Sequence, residues 1–149
     1  MKRYEEWWPL MQEDLIAMLA TPYRRKAEWD GKTWPPAELD CSEMVEVAFR
    51  RRAISCPDGS WIQHAESLPV QDPRPGDLGF FCKPEAVNAD NPYGVYHAGI
   101  LGNGDLVYEA RAKDKHGRYG MVITRPREAW EKYKPFQAAG GWRRLKVLL

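Results

Sequence analysis

YHAGILGNGDLVYEA, residues 96–110, consists of two short apolar runs on either side of a glycine-rich turn, Gly102-Asn103-Gly104. Runs of this length that are rich in β-branched and aromatic residues predict strands. The turn between them predicts an antiparallel hairpin. This hairpin is the strongest folding signal in the chain, and it indicates that the C-terminal half forms a sheet.

The register of the hairpin decides whether His97 and Glu109 lie on the same face of the sheet, because side chains alternate between faces along a strand. A three-residue loop, 102–104, would place His97 directly opposite Glu109. A five-residue loop of the same parity would also keep the two side chains on one face. The rival is a two-residue turn on Asn103-Gly104, which would turn Glu109 away. We predict the three-residue loop or its five-residue counterpart.

Further elements extend outward from the hairpin. Short strands are predicted at 78–81, 120–124 and 142–148, and short helices near 62–67 and 127–133. A run of strands that follows a helical N-terminal part is typical of an α+β fold. We therefore expect one domain, residues 1–149, in which the N-terminal helices pack on one side of an antiparallel sheet.

Two helices are predicted before the strands. The second should begin at Asp40, an N-cap residue with Glu43 in the capping-box position, and should end at the basic run 50–52, expected to be solvated. The segment 24–39 between the helices reads as a loop. The first helix is indicated by apolar residues at helical spacing, with Asp14 among the outward positions: Trp8, Met11, Leu15 and Leu19.

Composition excludes several classes of function. The formal net charge is +1, so no global field draws the chain to nucleic acid or to a membrane. The three cysteines, Cys41, Cys56 and Cys82, form no Cys-x-x-Cys pair, which argues against a structural zinc site. The first residues lack the apolar run of a signal peptide. We expect a protein that is made in the cytoplasm and acts elsewhere only after release or export.

Cys41 stands at the predicted start of the second helix. Unpaired backbone N–H groups and the positive end of the helix dipole favour a thiolate there, and the same N–H groups can stabilise an oxyanion. The alternative is that Cys41 is the top residue of a buried apolar stripe. His97 supplies a base and Glu109 a group that could fix the imidazole tautomer, and nucleophilic catalysis needs both.

Five motifs, in order, give the chain a resemblance to the NlpC family of bacterial and phage cell-wall peptidases. They are TPY at 21–23, DCS at 40–42, PGDLGFF at 75–81, HAGI at 97–100 and GNG at 102–104. DCS looks like the nucleophile motif of that family, and HAGI is similar to its histidine strand. The resemblance covers about residues 10–125.

The resemblance implies a papain-like α+β core and cleavage of an amide bond in the stem peptide of peptidoglycan, of the D-γ-glutamyl–diamino acid type. It implies no metal and no organic cofactor. The residues carried over are Cys41 as nucleophile, His97 as general base, Glu109 as third group, and Tyr23, Asp40 and Ser42 as substrate-binding residues.

Three departures from the family pattern are visible. Glu109 stands where His, Asn or Gln is common, Glu43 replaces a small glycine, and the long charged segment 24–39 could form a lid or rim. The string Glu109-Ala110-Arg111 resembles a branch of phage lysins and tail peptidases, although a surface Glu–Arg pair would explain it too. A peptidase docked on a phage tail or secretion machine, and a binding module with a relic site, are therefore alternatives.

Overall fold

The computed structural model describes residues 3–149, in which six strands form one sheet with every pairing antiparallel. The order of the strands across the sheet is β1-β6-β2-β3-β4-β5. Helices followed by an antiparallel sheet confirm the predicted α+β fold. The strands are β1 (Ser67–Pro69), β2 (Leu78–Cys82), β3 (Val95–Leu101), β4 (Leu106–Arg111), β5 (Met121–Pro126) and β6 (Arg143–Leu145).

The helices flank the sheet. None of those formed by residues 3–149 is long and apolar enough to cross a membrane. Short 3₁₀ turns occur at Pro84–Ala86, Asn103–Asp105 and Lys146–Leu148. The α-helices are α1 (Tyr4–Met18), α2 (Cys41–Arg50), α3 (Ser60–Ala65), α4 (Arg127–Glu131) and α5 (Lys134–Ala138).

Both faces of the sheet are covered: the N-terminal helices pack on one side, as predicted, and the C-terminal helices pack on the other. Phe80 and Ile100 belong to the core formed with α1 and α2. Their neighbours on the strands, Phe81 and Leu101, belong to a second core that contains Trp130 of α4. Because adjacent residues of a strand face opposite sides, α4 and α5 pack on the face that α1 and α2 leave free.

The hairpin of β3 and β4 has the predicted parity but the longer of the two predicted loops. Leu101 lies opposite Val107, which leaves the five residues 102–106 between them. The five-residue loop of the prediction is thus the one that forms, and in this register His97 and Glu109 are diagonal neighbours on one face, not directly opposed residues. Asn103 is bound to α1, since its side chain accepts from Trp8 Nε1 at 3.0 Å, and this contact holds the longer loop.

Helix α2 begins where its capping residue predicts. Asp40 Oδ1 accepts the backbone N–H of Glu43 at 2.8 Å, which satisfies a donor that the helix cannot. Glu43 is buried at the start of α2. Burial and the neighbouring Glu46 raise the pKa of Glu43 to about 8.

The sequence predicts that the basic run 50–52 at the end of α2 is solvated, but two of its arginines bind a carboxylate of α1. Arg51 Nε and Arg52 Nη2 bind the carboxylate of Asp14 at 3.1 and 3.0 Å. Asp14, predicted to face outward, is buried, whereas Leu19 is partly exposed. The two guanidinium groups compensate the buried charge, and they tie the end of α2 to α1.

Candidate active site

His97 and Glu109 form a hydrogen-bonded pair on one face of the sheet. His97 lies on β3 and Glu109 on β4, and the distance from His97 Nε2 to Glu109 Oε1 is 2.8 Å. Glu109 is fully buried. Because Nε2 is bound to a carboxylate, the other ring nitrogen, Nδ1, is the one available to a thiol. Glu109 therefore fixes both the orientation and the tautomer of the imidazole.

Two further side chains hold Glu109, and the sequence did not predict either of them. Arg125 of β5 donates from Nε to Oε2 at 2.6 Å and from Nη2 to Oε1 at 3.1 Å. Trp130 donates from Nε1 to Oε2 at 2.9 Å. Four hydrogen bonds thus converge on one buried carboxylate. Burial would raise the pKa of Glu109, but the hydrogen bonds and charges of His97 and Arg125 outweigh burial and lower it to about 2.

Trp130 reaches Glu109 because two glycines leave room for its ring. Gly79 of β2 and Gly99 of β3 lie directly opposite each other. A Cβ added at Gly99 would come within 2.7 Å of Trp130 Cη2, and one at Gly79 within 3.0 Å of its Cε3. No real Cβ tolerates the first distance, so the glycine pair is required for this packing. The two glycines therefore belong to the construction of the site.

Cys41 and His97 line the same cavity, which has a volume of about 270 Å³. Cys41 is the first residue of α2, where the first backbone N–H groups have no partner within the helix. Burial lowers the pKa of His97, but its interactions with Cys41 and Glu109 outweigh burial and raise the pKa to about 9. The cavity therefore combines a thiol at the start of a helix with an imidazole whose raised pKa keeps it protonated near neutral pH.

A buried glutamine fixes the start of α2. Gln63 of α3 donates from Nε2 to the carbonyl oxygens of Ser42 and Pro57, at 3.0 and 2.9 Å. Its side chain is fully buried, so the contact is shielded from water. Sequence reasoning missed Gln63, since a single polar residue on a short helix carries no signal. Its effect is to hold the turn that carries Cys41 against α3.

The three predicted substrate-binding residues lie around the start of α2 in different environments. Tyr23 lines the cavity with Cys41. Asp40 accepts hydrogen bonds from Glu43 N, Ser42 Oγ and Lys26 N. The carboxylate of Asp40 is thus engaged in local structure, whereas the Tyr23 side chain faces the cavity. Their predicted role in binding substrate stays a prediction.

The segment 24–39 packs on the outer side of α2. The guanidinium of Arg51 stacks over the ring of Trp34, with Cζ 3.6 Å from the ring centroid, and Trp34 in turn contacts Trp29 edge-to-face. None of the residues 24–39 lines the cavity that holds Cys41 and His97. The segment buttresses the helix, in contrast to the lid or rim that its length and charge suggested.

The other two cysteines have environments unlike that of Cys41. Burial, followed by the charge of Glu46, raises the pKa of the Cys56 thiol. Burial likewise raises the pKa of Cys82. Neither lines the cavity with His97. A thiol whose pKa is raised is a poor nucleophile near neutral pH, so these two are the natural controls for Cys41.

The chain is similar in sequence to a known protein family. The sequence pattern of the NlpC/P60 family matches residues 21–118, which include Cys41, His97 and Glu109. The chain belongs to the NlpC/P60 family. It is 30% identical over 122 residues to a probable endopeptidase p60 of Listeria welshimeri, a match that covers 80% of this chain. The chain spans only 20% of the length of that relative.

Solved NlpC/P60 structures share the fold. The peptidoglycan hydrolase RipB of Mycobacterium tuberculosis is similar with a TM-score of 0.64 and 17% identity, over 99% of this chain and 69% of that one. RipD of the same organism, described as a non-catalytic NlpC/p60 domain protein adapted to peptidoglycan binding, gives a TM-score of 0.55 and 15% identity, over 83% and 89%. The fold therefore occurs in both hydrolases and binding proteins, so function must be argued from the side chains of the site.

Proposed function

We propose that this NlpC/P60 protein is a cysteine peptidase that hydrolyses an amide bond in the stem peptide of peptidoglycan, of the D-γ-glutamyl–diamino acid type. The observation that carries the proposal is the position of His97, whose Nε2 is bound to buried Glu109 while the ring shares a cavity with Cys41. This is the arrangement of nucleophile, base and orienting group that acyl transfer needs.

The proposed reaction passes through an acyl-enzyme. The Cys41 thiolate attacks the amide carbonyl, and backbone N–H groups at the start of α2 stabilise the oxyanion. His97 gives its proton to the leaving amine, which departs as the thioester forms. His97 then takes a proton from water, which attacks the thioester and releases the free acid and the Cys41 thiolate beside a protonated His97, as at the start. Glu109 keeps the imidazole in place throughout.

A non-catalytic binding role, as described for RipD, is the alternative from another class. It requires no thiol, no base and no buried carboxylate. This chain keeps all three together, and four hydrogen bonds hold the carboxylate. Taking a carboxylate out of water is costly even when it is paired, and a buried carboxylate that orients a histidine beside a thiol favours catalysis over binding alone.

The proposal is tested by digesting purified peptidoglycan sacculi and analysing the released fragments by mass spectrometry. We expect fragments that end in D-glutamate and fragments with a free amino terminus on the diamino acid. Protein alkylated with iodoacetamide beforehand is the control and should release neither. Fragments that arise from cleavage of the glycan, or the absence of any fragments, would contradict the proposal.

The raised pKa of His97 sets the alkaline limit of the proposed reaction. Because His97 keeps its proton up to about pH 9, kcat/KM should fall as the pH rises through that value. Alkylation of Cys41 by iodoacetamide needs no proton from His97, so its rate should not fall there. In Glu109→Gln the charge that favours the imidazolium is lost, and the alkaline limit should move to lower pH. An unchanged limit in this variant would contradict the assignment.

A further inference from the structure

One wall of the cavity is cationic. Arg111, the last residue of β4, and Lys113 both line the cavity that holds Cys41 and His97. They lie beyond Glu109 along the same chain segment. Arg111 lies within ion-pairing distance of Glu109, but neither cation donates a hydrogen bond to that carboxylate.

The carboxylates nearest to this wall are already engaged. Glu109 is bound by His97, Arg125 and Trp130, and its Oε1 lies 3.7 Å from Arg111 Nε, beyond hydrogen-bonding distance. Asp114 also lines the cavity, but it accepts from Arg118 Nε at 2.7 Å and from backbone N–H groups of its own turn. Among residues 3–149, the cavity lining therefore carries cationic charge without an unengaged carboxylate beside it.

Each of the two cationic side chains packs against a neighbour on the same segment. The guanidinium of Arg111 stacks over the ring of Tyr119, with Cζ 4.6 Å from the centroid. Lys113 runs over Gly120, where a Cβ would come within 2.7 Å of Lys113 Cγ. Tyr119 and Gly120 both have positive φ, which folds this segment back beneath the two cations. A cation fixed in this way loses less side-chain entropy when it binds an anion.

We propose that Arg111, assisted by Lys113, binds a carboxylate of the substrate close to the scissile bond. The inference rests on the proposed function. A peptide linked through the γ-carboxyl of D-glutamate leaves its α-carboxylate free on the residue that is attacked, and a diamino acid can carry a second carboxylate on the leaving side. Both sources present the same chemistry, which a planar guanidinium matches with two parallel hydrogen bonds.

The test compares four synthetic stem peptides. They combine D-glutamate or its α-amide, D-isoglutamine, with diaminopimelate or its amide. For the unmodified protein we expect amidation of the bound carboxylate to lower kcat/KM by about 10- to 100-fold, the effect of losing a charge-assisted hydrogen bond. Amidation of the other carboxylate should have little effect. The position at which amidation lowers the rate identifies which of the two carboxylates is bound.

Variants separate a binding role from a structural one. Arg111→Gln should lower kcat/KM only for the peptides in which the bound carboxylate is free, and so remove the preference for them. Lys113→Gln should weaken the same preference partly. Lys115→Gln is the matched control, because Lys115 is exposed on the same segment but does not line the cavity. Equal rates for all four peptides, or an equal loss on all of them in Arg111→Gln, would overturn the inference and leave the proposed function standing. Failure of the unmodified protein to cleave any of the four would overturn both.

Discussion

Replacing Cys41 by alanine is expected to abolish peptidoglycan hydrolysis, with a loss of about 10⁴-fold or more, as for other enzymes that lose their nucleophile. The reason is that no other group in the cavity can form the thioester on which the proposed reaction depends. Hydrolysis is measured as release of soluble fragments from sacculi. The melting temperature should stay unchanged or rise, because catalytic groups are seldom optimal for stability.

The matched controls are Cys56→Ala and Cys82→Ala, which should retain hydrolysis. Iodoacetamide in mildly acidic buffer should modify Cys41 well before either of them, since burial raises the pKa of both other thiols. Full activity in Cys41→Ala would mean that the central assignment is wrong. Alkylation of Cys56 first would contradict the electrostatic argument.

Replacing Glu109 by alanine is expected to cost about 10² to 10⁴ in kcat/KM, the range for groups that orient a catalytic histidine. The change removes the acceptor for His97 Nε2, and it also leaves Arg125 and Trp130 without their carboxylate. The half-buried Arg125 and the buried Trp130 would both lose a hydrogen-bond acceptor, so the melting temperature should fall as well. Both quantities are measured on the same preparation.

Glu109→Gln is the matched control, because glutamine keeps the size and shape of the side chain and removes only its charge. The amide can still accept from the imidazole N–H, so this variant should keep more activity than Glu109→Ala at neutral pH. If both variants lost little and to the same extent, Glu109 would be only a partner of its neighbouring arginines. The alternative stated for the Glu109-Ala110-Arg111 string would then be correct.

Local sequence predicted much of this architecture. The capping residue Asp40 located the start of α2, and the glycine-rich turn located the hairpin of β3 and β4. Both structures depend on interactions between residues close together in the sequence, so the sequence alone is enough to predict them. The length of the hairpin loop was harder to predict, because its cause lies in α1, where Trp8 and Gln12 bind Asn103.

The residues around Glu109 could not be predicted in the same way. Arg125 approaches Glu109 only because β5 pairs with β4, and Trp130 approaches it only because Gly79 and Gly99 face each other across two other strands. Each of these contacts depends on tertiary structure. Asp14 is a further example. The helical pattern of α1 predicted an outward position for it, because the arginines that bury it follow α2 and lie far away in the sequence.

The division of the site between a helix and a sheet also bears on how the chain folds. Cys41 opens α2, whereas His97 lies on β3 far along the chain, so the two meet only after a long loop has closed. Formation of the pair thus depends on contacts between residues far apart in the sequence. A partly folded chain carries an ordinary thiol that no imidazole activates, and chemical reactivity at this position reports directly on completion of the native core.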